Sequence, residues 1–88
     1  MKRILLVEDD ALLNRTLVYN LVSDGWDVTS ALNARTAADL LAGRSYDLVL
    51  LDINLPDGNG YDLCGLIKPE HPDTVVIFLT ANDQESDQ

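Results

Sequence analysis

The chain has 88 residues, with 6 Lys+Arg against 15 Asp+Glu and a formal charge of -9. That length sets a single domain, 1–88, with a modest core, and the charge leaves no basic patch for nucleic acid or an anionic membrane; a basic protein face suits it better. The lone Cys64 excludes an internal disulfide, and no apolar run nears the ~18 residues of a membrane span, so the chain reads as a cytoplasmic domain without a signal peptide.

The first element is a β run, Arg3 to Val7, which runs straight into Glu8-Asp9-Asp10. Asp9 or Asp10 can cap a helix from about Ala11 to Ser23, with Leu13, Leu17 and Leu21 on one stripe and Asp24-Gly25 as its end. Trp26 to Ala31 is a more polar strand, suited to an edge. Asn33 caps a second helix through about Ala42, with Ala37, Leu40 and Leu41 inward and Gly43 as its stop. Tyr46 to Leu51 is apolar through its middle, as expected when both faces are covered, and ends in Asp52. Ile53 to Gly60 is a loop rich in breakers. A short helix follows from about Tyr61 to Lys68, where Pro69 forbids extension, and Cys64 sits on it as a buried, inert thiol. The lone His71 falls in an exposed connection. Thr74 to Leu79 is a fourth strand closed by Thr80, and a polar segment runs on to Gln88.

Strands alternating with helices across short loops predict an α/β, doubly wound parallel sheet. Its reactive crevice lies beyond the carboxyl ends of the strands, which brings Glu8, Asp9, Asp52 and Thr80 to one edge. Like charges repel at such range, so a cluster of acids needs a reason to exist. A divalent cation beside a reactive carboxylate supplies one. Mg2+ takes oxygen ligands, commonly one or two carboxylates plus phosphate oxygens, and no Cys or His sits close enough in sequence to favour zinc. Asp52 is then the candidate nucleophile toward phosphorus. The glycines at 58 and 60 leave it accessible, and the Thr80 hydroxyl is placed to bond a phosphoryl oxygen.

The segments Ile4-Leu-Leu-Val-Glu-Asp-Asp10, Asp47-Leu-Val-Leu-Leu-Asp-Ile-Asn-Leu-Pro-Asp-Gly-Asn-Gly60 and Val76-Ile-Phe-Leu-Thr-Ala81 resemble the receiver domain of two-component response regulators. The likeness covers essentially the whole chain. It implies a flavodoxin-like sheet of strand order 2-1-3-4, with the usual fifth strand and last helices missing. It implies that Asp52 accepts a phosphoryl group from a sensor histidine kinase, and that Glu8, Asp9, Asp52 and the Asn54 backbone carbonyl hold Mg2+. It makes Thr80 the switch hydroxyl and gives Asn54 and Asn82 a part in setting how fast the phosphoryl group hydrolyses. Such a domain is a regulatory phosphoacceptor rather than a turnover enzyme, at most phosphorylating and dephosphorylating itself. The opening residues and the Asn-Leu-Pro-Asp-Gly-Asn-Gly loop look most like receivers that control transcription through a winged-helix domain.

Two departures from the family pattern stand out. The chain stops soon after Thr80, and its lysines, Lys2 and Lys68, do not occupy the place of the Lys that pairs with the phosphoryl group in receivers. An open, apolar fourth-strand edge is a template for another chain, so self-association through that edge is expected. The alternative reading is a truncated receiver serving only as a non-catalytic dimerisation module. A haloacid-dehalogenase-type phosphatase would need an Asp-x-Asp motif on the first strand. A nucleotide-binding domain would need glycines where Glu8-Asp9-Asp10 stands.

Overall fold

A computed structural model of the chain describes residues 2–79. Its elements are β1 (Arg3–Val7), α1 (Ala11–Ser23), β2 (Asp27–Ala31), α2 (Ala34–Gly43), β3 (Leu48–Asp52), β4 (Asn54–Leu55), β5 (Gly58–Asn59), α3 (Gly60–Glu70) and β6 (Val75–Leu79). Four strands form one sheet in the order β2-β1-β3-β6. All three pairings are parallel, with Val7 level with both Ala31 and Leu51, and Asp52 level with Leu79. The predicted α/β doubly wound sheet is therefore present, its fourth main strand being β6.

Parallel strands need crossovers, and here helices supply them. One face of the sheet presents Leu5, Val7, Val49 and Leu51 to Ala37 and Leu41 of α2 and to Leu63 and Ile67 of α3, with Cys64 partly buried against this core. Ile4 and Leu6 point to the other face and are also fully buried. Cover on that face is partial: Leu48 and Leu50 are only half-buried, and Val75 and Ile77 of β6 are exposed. The expectation that β3 is covered on both sides holds for the α2–α3 side alone among the described residues.

Local signals explain the helix ends. Asp10 accepts from the N–H groups of Leu12 and Leu13, and Asn33 from that of Thr36. α1 closes on Gly25 at φ 97°, with Gly25 N–H donating to Val22 and Trp26 N–H to Leu21. That is the paired bonding a left-handed glycine permits after a helix.

Four readings need correction. The α1 stripe is rotated: Leu17 and Leu21 are half-buried and Leu13 is exposed, while Asn14 is the buried residue. Asn14 turns inward because its amide serves strand-end carbonyls. The Ile53–Gly60 segment is not a plain loop but carries the β4–β5 hairpin, Asn54 facing Asn59 and Leu55 facing Gly58. α3 runs through Pro69 to Glu70. A proline there forfeits one backbone bond in the last turn, and His71 N–H still reaches the Ile67 carbonyl at 2.7 Å. His71 itself is half-buried, with Nε2 3.1 Å from the Leu41 carbonyl, so it pins α3 to α2 instead of hanging in solvent.

Candidate metal centre

The strand ends bring the acids together. β1 stops at Val7, Glu8 N–H donates to the Ala31 carbonyl at 3.1 Å, and the backbone then bends so that Glu8 and Asp9 face the same rim. Asp52 closes the neighbouring strand. Carboxylate oxygens of Glu8, Asp9 and Asp52 all lie within 4.8 Å of one another. Glu8 and Asp52 are buried and Asp9 is exposed.

Two of the three acids, Glu8 and Asp52, are held by backbone N–H groups. Asp10 N–H donates to Glu8 Oε2 at 2.9 Å, and Asn54 N–H donates to Asp52 Oδ1 at 3.1 Å. Glu8 Oε1 is buried with no hydrogen-bond partner among the described residues. An orphaned carboxylate oxygen in such a place is costly unless something positive meets it. Burial pushes the Glu8 carboxyl up to about 7, with the charges of Asp52 and Asp9 adding to the effect against the Asp10 N–H. Asp52 is raised too, by burial first and by Asp9, while the Asn54 N–H acts the other way. Both shifts are those of buried acids, with neighbouring like charges adding to the effect. The oxygen-only donor set and the orphaned Oε1 fit a hard divalent cation. Cys64 and His71 lie on α3 and at its C-terminus, away from the clustered oxygens.

Of the residues singled out from sequence, the structure thus brings Glu8, Asp9 and Asp52 together and sets Asn54 beside them. Thr80 and Asn82 lie outside the described residues. Lys68 is spent on the Thr74 carbonyl at 2.7 Å. A cavity of about 470 Å³ at the opposite, amino-terminal end of the strands, lined by Arg3, Ser45, Asp47, His71 and others, contains none of the clustered acids.

Two supporting residues, Asn14 and Asp57, escaped the sequence reading, and Gly60 has a role beyond keeping Asp52 accessible. Asn14 donates from Nδ2 to the carbonyls of Glu8 (3.0 Å) and Ala31 (3.3 Å), locking the ends of β1 and β2. Its only signal is an amide in the first turn of a helix with apolar neighbours. Gly60 is needed for a close approach: a Cβ there would stand 2.6 Å from the Asp52 carbonyl oxygen. Asp57 reaches across to α2, a contact between residues far apart in sequence, for which the sequence gives no sign.

Comparison with known proteins agrees with this geometry. Residues 4–88 match the response regulator receiver domain family. The transcriptional regulatory protein CssR of Bacillus subtilis is 40% identical over 85 residues, which is 97% of this chain and 37% of CssR. The non-phosphorylated receiver domain of HemR from Leptospira biflexa superposes with a TM-score of 0.88 at 42% identity, over 97% of this chain and 68% of that one. The response regulator TrrA of Thermotoga maritima, solved with Mg2+ and BeF, gives 0.87 at 35% identity, over 93% and 71%. TrrA is also known in complex with the histidine kinase ThkA, where the match has a TM-score of 0.85 at 35% identity over 99% and 76%. The chain spans under two fifths of its curated relative CssR. With the parallel sheet, the acidic rim and the match over 4–88 in agreement, the chain belongs to the response regulator receiver domain family.

Proposed function

We propose that Asp52 accepts a phosphoryl group from the phosphohistidine of a sensor histidine kinase, in a Mg2+-dependent reaction. The observation that carries this reading is the meeting of Glu8, Asp9 and Asp52 within 4.8 Å, with one Glu8 oxygen buried and unpartnered. The carboxylates of Glu8, Asp9 and Asp52 and the Asn54 backbone carbonyl would hold the cation, which neutralises charge on the transferring phosphoryl oxygens. Asn54 N–H orients the Asp52 carboxylate. An Asp52 oxygen attacks phosphorus as the P–N bond breaks; the imidazole nitrogen keeps the bonding pair, and an acyl phosphate on Asp52 results. Thr80 supplies the hydroxyl that follows the phosphoryl group, and Asn54 and Asn82 set its rate of hydrolysis. The kinase complex and the Mg2+–BeF complex of TrrA support the partner and the cation. The name of CssR supports transcription as the output, and the loop Asn54 to Gly60 suits a winged-helix effector.

A second reading, an interaction module, has its own support. β6 is flanked by β3 on one side only among the described residues, and Val75 and Ile77 are 55% and 48% exposed. Incubation with acetyl phosphate and Mg2+, followed by mass spectrometry, separates the two. Gain of one phosphoryl group, lost on chelation of Mg2+ and in Asp52→Ala, is the expected result. No gain leaves the interaction module.

A further inference from the structure

The β4–β5 hairpin is rooted in the core by buried Leu55 and held by hydrogen bonds at both ends. At its inner end Asn54 N–H holds Asp52 Oδ1 at 3.1 Å, and Gly60 N–H holds the Ile53 carbonyl at 2.8 Å. At its tip, the turn Leu55-Pro56-Asp57-Gly58 presents the Asp57 carboxylate to α2. Oδ1 accepts from Ala34 N–H at 2.7 Å and Oδ2 from Arg35 N–H at 3.0 Å. Asn33 provides for the next two donors of that helix, Thr36 N–H through its side chain and Ala37 N–H through its carbonyl. The N–H groups of Ala34, Arg35 and Thr36, which have no acceptor within the helix, are therefore met, two of them by a residue of the site's own loop.

We propose that Asp57 is a positioning residue: by latching the hairpin to the amino terminus of α2, it holds the Asn54 carbonyl and the Asp52 carboxylate in the arrangement that binds the cation. This rests on the reading of the Asp52 site given above. A hairpin of two residue pairs is too short to keep its shape alone. Beyond the packing of Leu55, its tip is tethered by two hydrogen bonds to an ionised carboxylate at the positive end of a helix. The same N–H groups hold the Asp57 carboxyl below its ordinary range. Once that tether is cut the loop visits other shapes, and the apparent affinity for a cation falls in proportion to the competent fraction. By linkage, cation binding must in turn tighten the latch.

The test is Mg2+ titration calorimetry on the wild-type chain and on Asp57→Ala, Asp57→Asn, Asn33→Ala and Asp52→Ala, each with a thermal melt. Asp57→Ala and Asn33→Ala both remove capping from α2 and both lower Tm. Only Asp57→Ala is expected to weaken Mg2+ binding, on the order of fivefold if the competent fraction falls to about one fifth. Asp57→Asn, which keeps one acceptor oxygen, is expected to fall between. Wild-type amide exchange at Ala34 and Arg35 should slow when Mg2+ is added, a readout that needs no variant. Equal affinity in Asp57→Ala and wild type, or an equal loss in Asn33→Ala, overturns the latch and leaves the site reading intact. Absence of Mg2+ binding by the wild type, or binding that survives Asp52→Ala, overturns the site reading and the latch with it.

Discussion

Glu8 shows how far a single side chain can be driven by its surroundings. Its carboxyl, ordinarily near 4.5, is pushed up to about 7, mainly because burial disfavours the charged form. The folded chain therefore holds a proton that the unfolded chain releases across that interval. Stability from this group is whole below pH 4.5 and is lost as pH rises through about 7. Without Mg2+, urea midpoints should fall between about pH 5 and 8, and Glu8→Gln should flatten that slope. Added Mg2+ should restore the wild-type midpoint at the alkaline end, since it meets the charged form, and should not restore that of Glu8→Gln. Tyr46 presents the neutral counterpart. Its ring sits in the α2–α3 core, 4% exposed, and its hydroxyl has no partner among the described residues. Tyr46→Phe removes a desolvated hydroxyl while keeping the ring, so a denaturation curve should show it neutral to about 1 kcal/mol more stable. A loss of more than about 1 kcal/mol would mean the hydroxyl is bonded after all.

At the scale of elements, the join between β3 and α3 is the tightest place in the site. α3 begins at Gly60, where a side chain would collide with the Asp52 carbonyl oxygen and with Ile53 Cα at 3.1 Å. Those atoms are backbone and cannot swing aside. Gly60→Ala should cost about 1–3 kcal/mol, as overpacking does, and displace the Asp52 carboxylate. Gly65, further along α3, leaves open space of at least 4 Å where a side chain would start. Gly65→Ala should instead stabilise by roughly 0.5–1 kcal/mol and leave phosphorylation unchanged, with melting curves and acetyl phosphate labelling as the measures. The same segment marks where sequence reading stops. Strand-to-acid junctions such as Val7-Glu8 and Leu51-Asp52 were legible, because apolar runs of strand length ending in charge admit few other readings. The β4–β5 hairpin was not, since two residue pairs leave no periodicity to detect. Nor was the inward turn of Asn14, whose partners are carbonyls of distant strand ends. Pro69 misled because its cost falls in a last turn that tolerates one lost bond.

For the molecule as a whole, long-range repulsion and short-range apolar burial oppose each other when copies meet. Each copy carries a charge of -9, which repels another copy. Each also shows Val75 and Ile77 beside half-buried Leu48 and Leu50, apolar surface on the same side of the sheet. The acidic rim could be read from the sequence and the sheet order came with the family resemblance; that this face is thinly covered among the described residues could not be read, because it depends on how little of β3 and β6 α1 overlies. If burial of this face drives self-association, raising salt from about 0.05 to 0.5 M should strengthen the dimer by screening the repulsion, whereas a complex with a basic partner would weaken. Ile77→Lys separates the two terms by sign. It brings each copy one charge closer to neutral, so an association governed by charge would tighten. An association governed by burial loses about 1 kcal/mol of apolar contact per copy, and twofold symmetry doubles this. The dimer should then be roughly thirtyfold weaker by sedimentation equilibrium. Tighter association of Ile77→Lys, or a wild type that stays monomeric at high salt, would remove the β6 face as the contact.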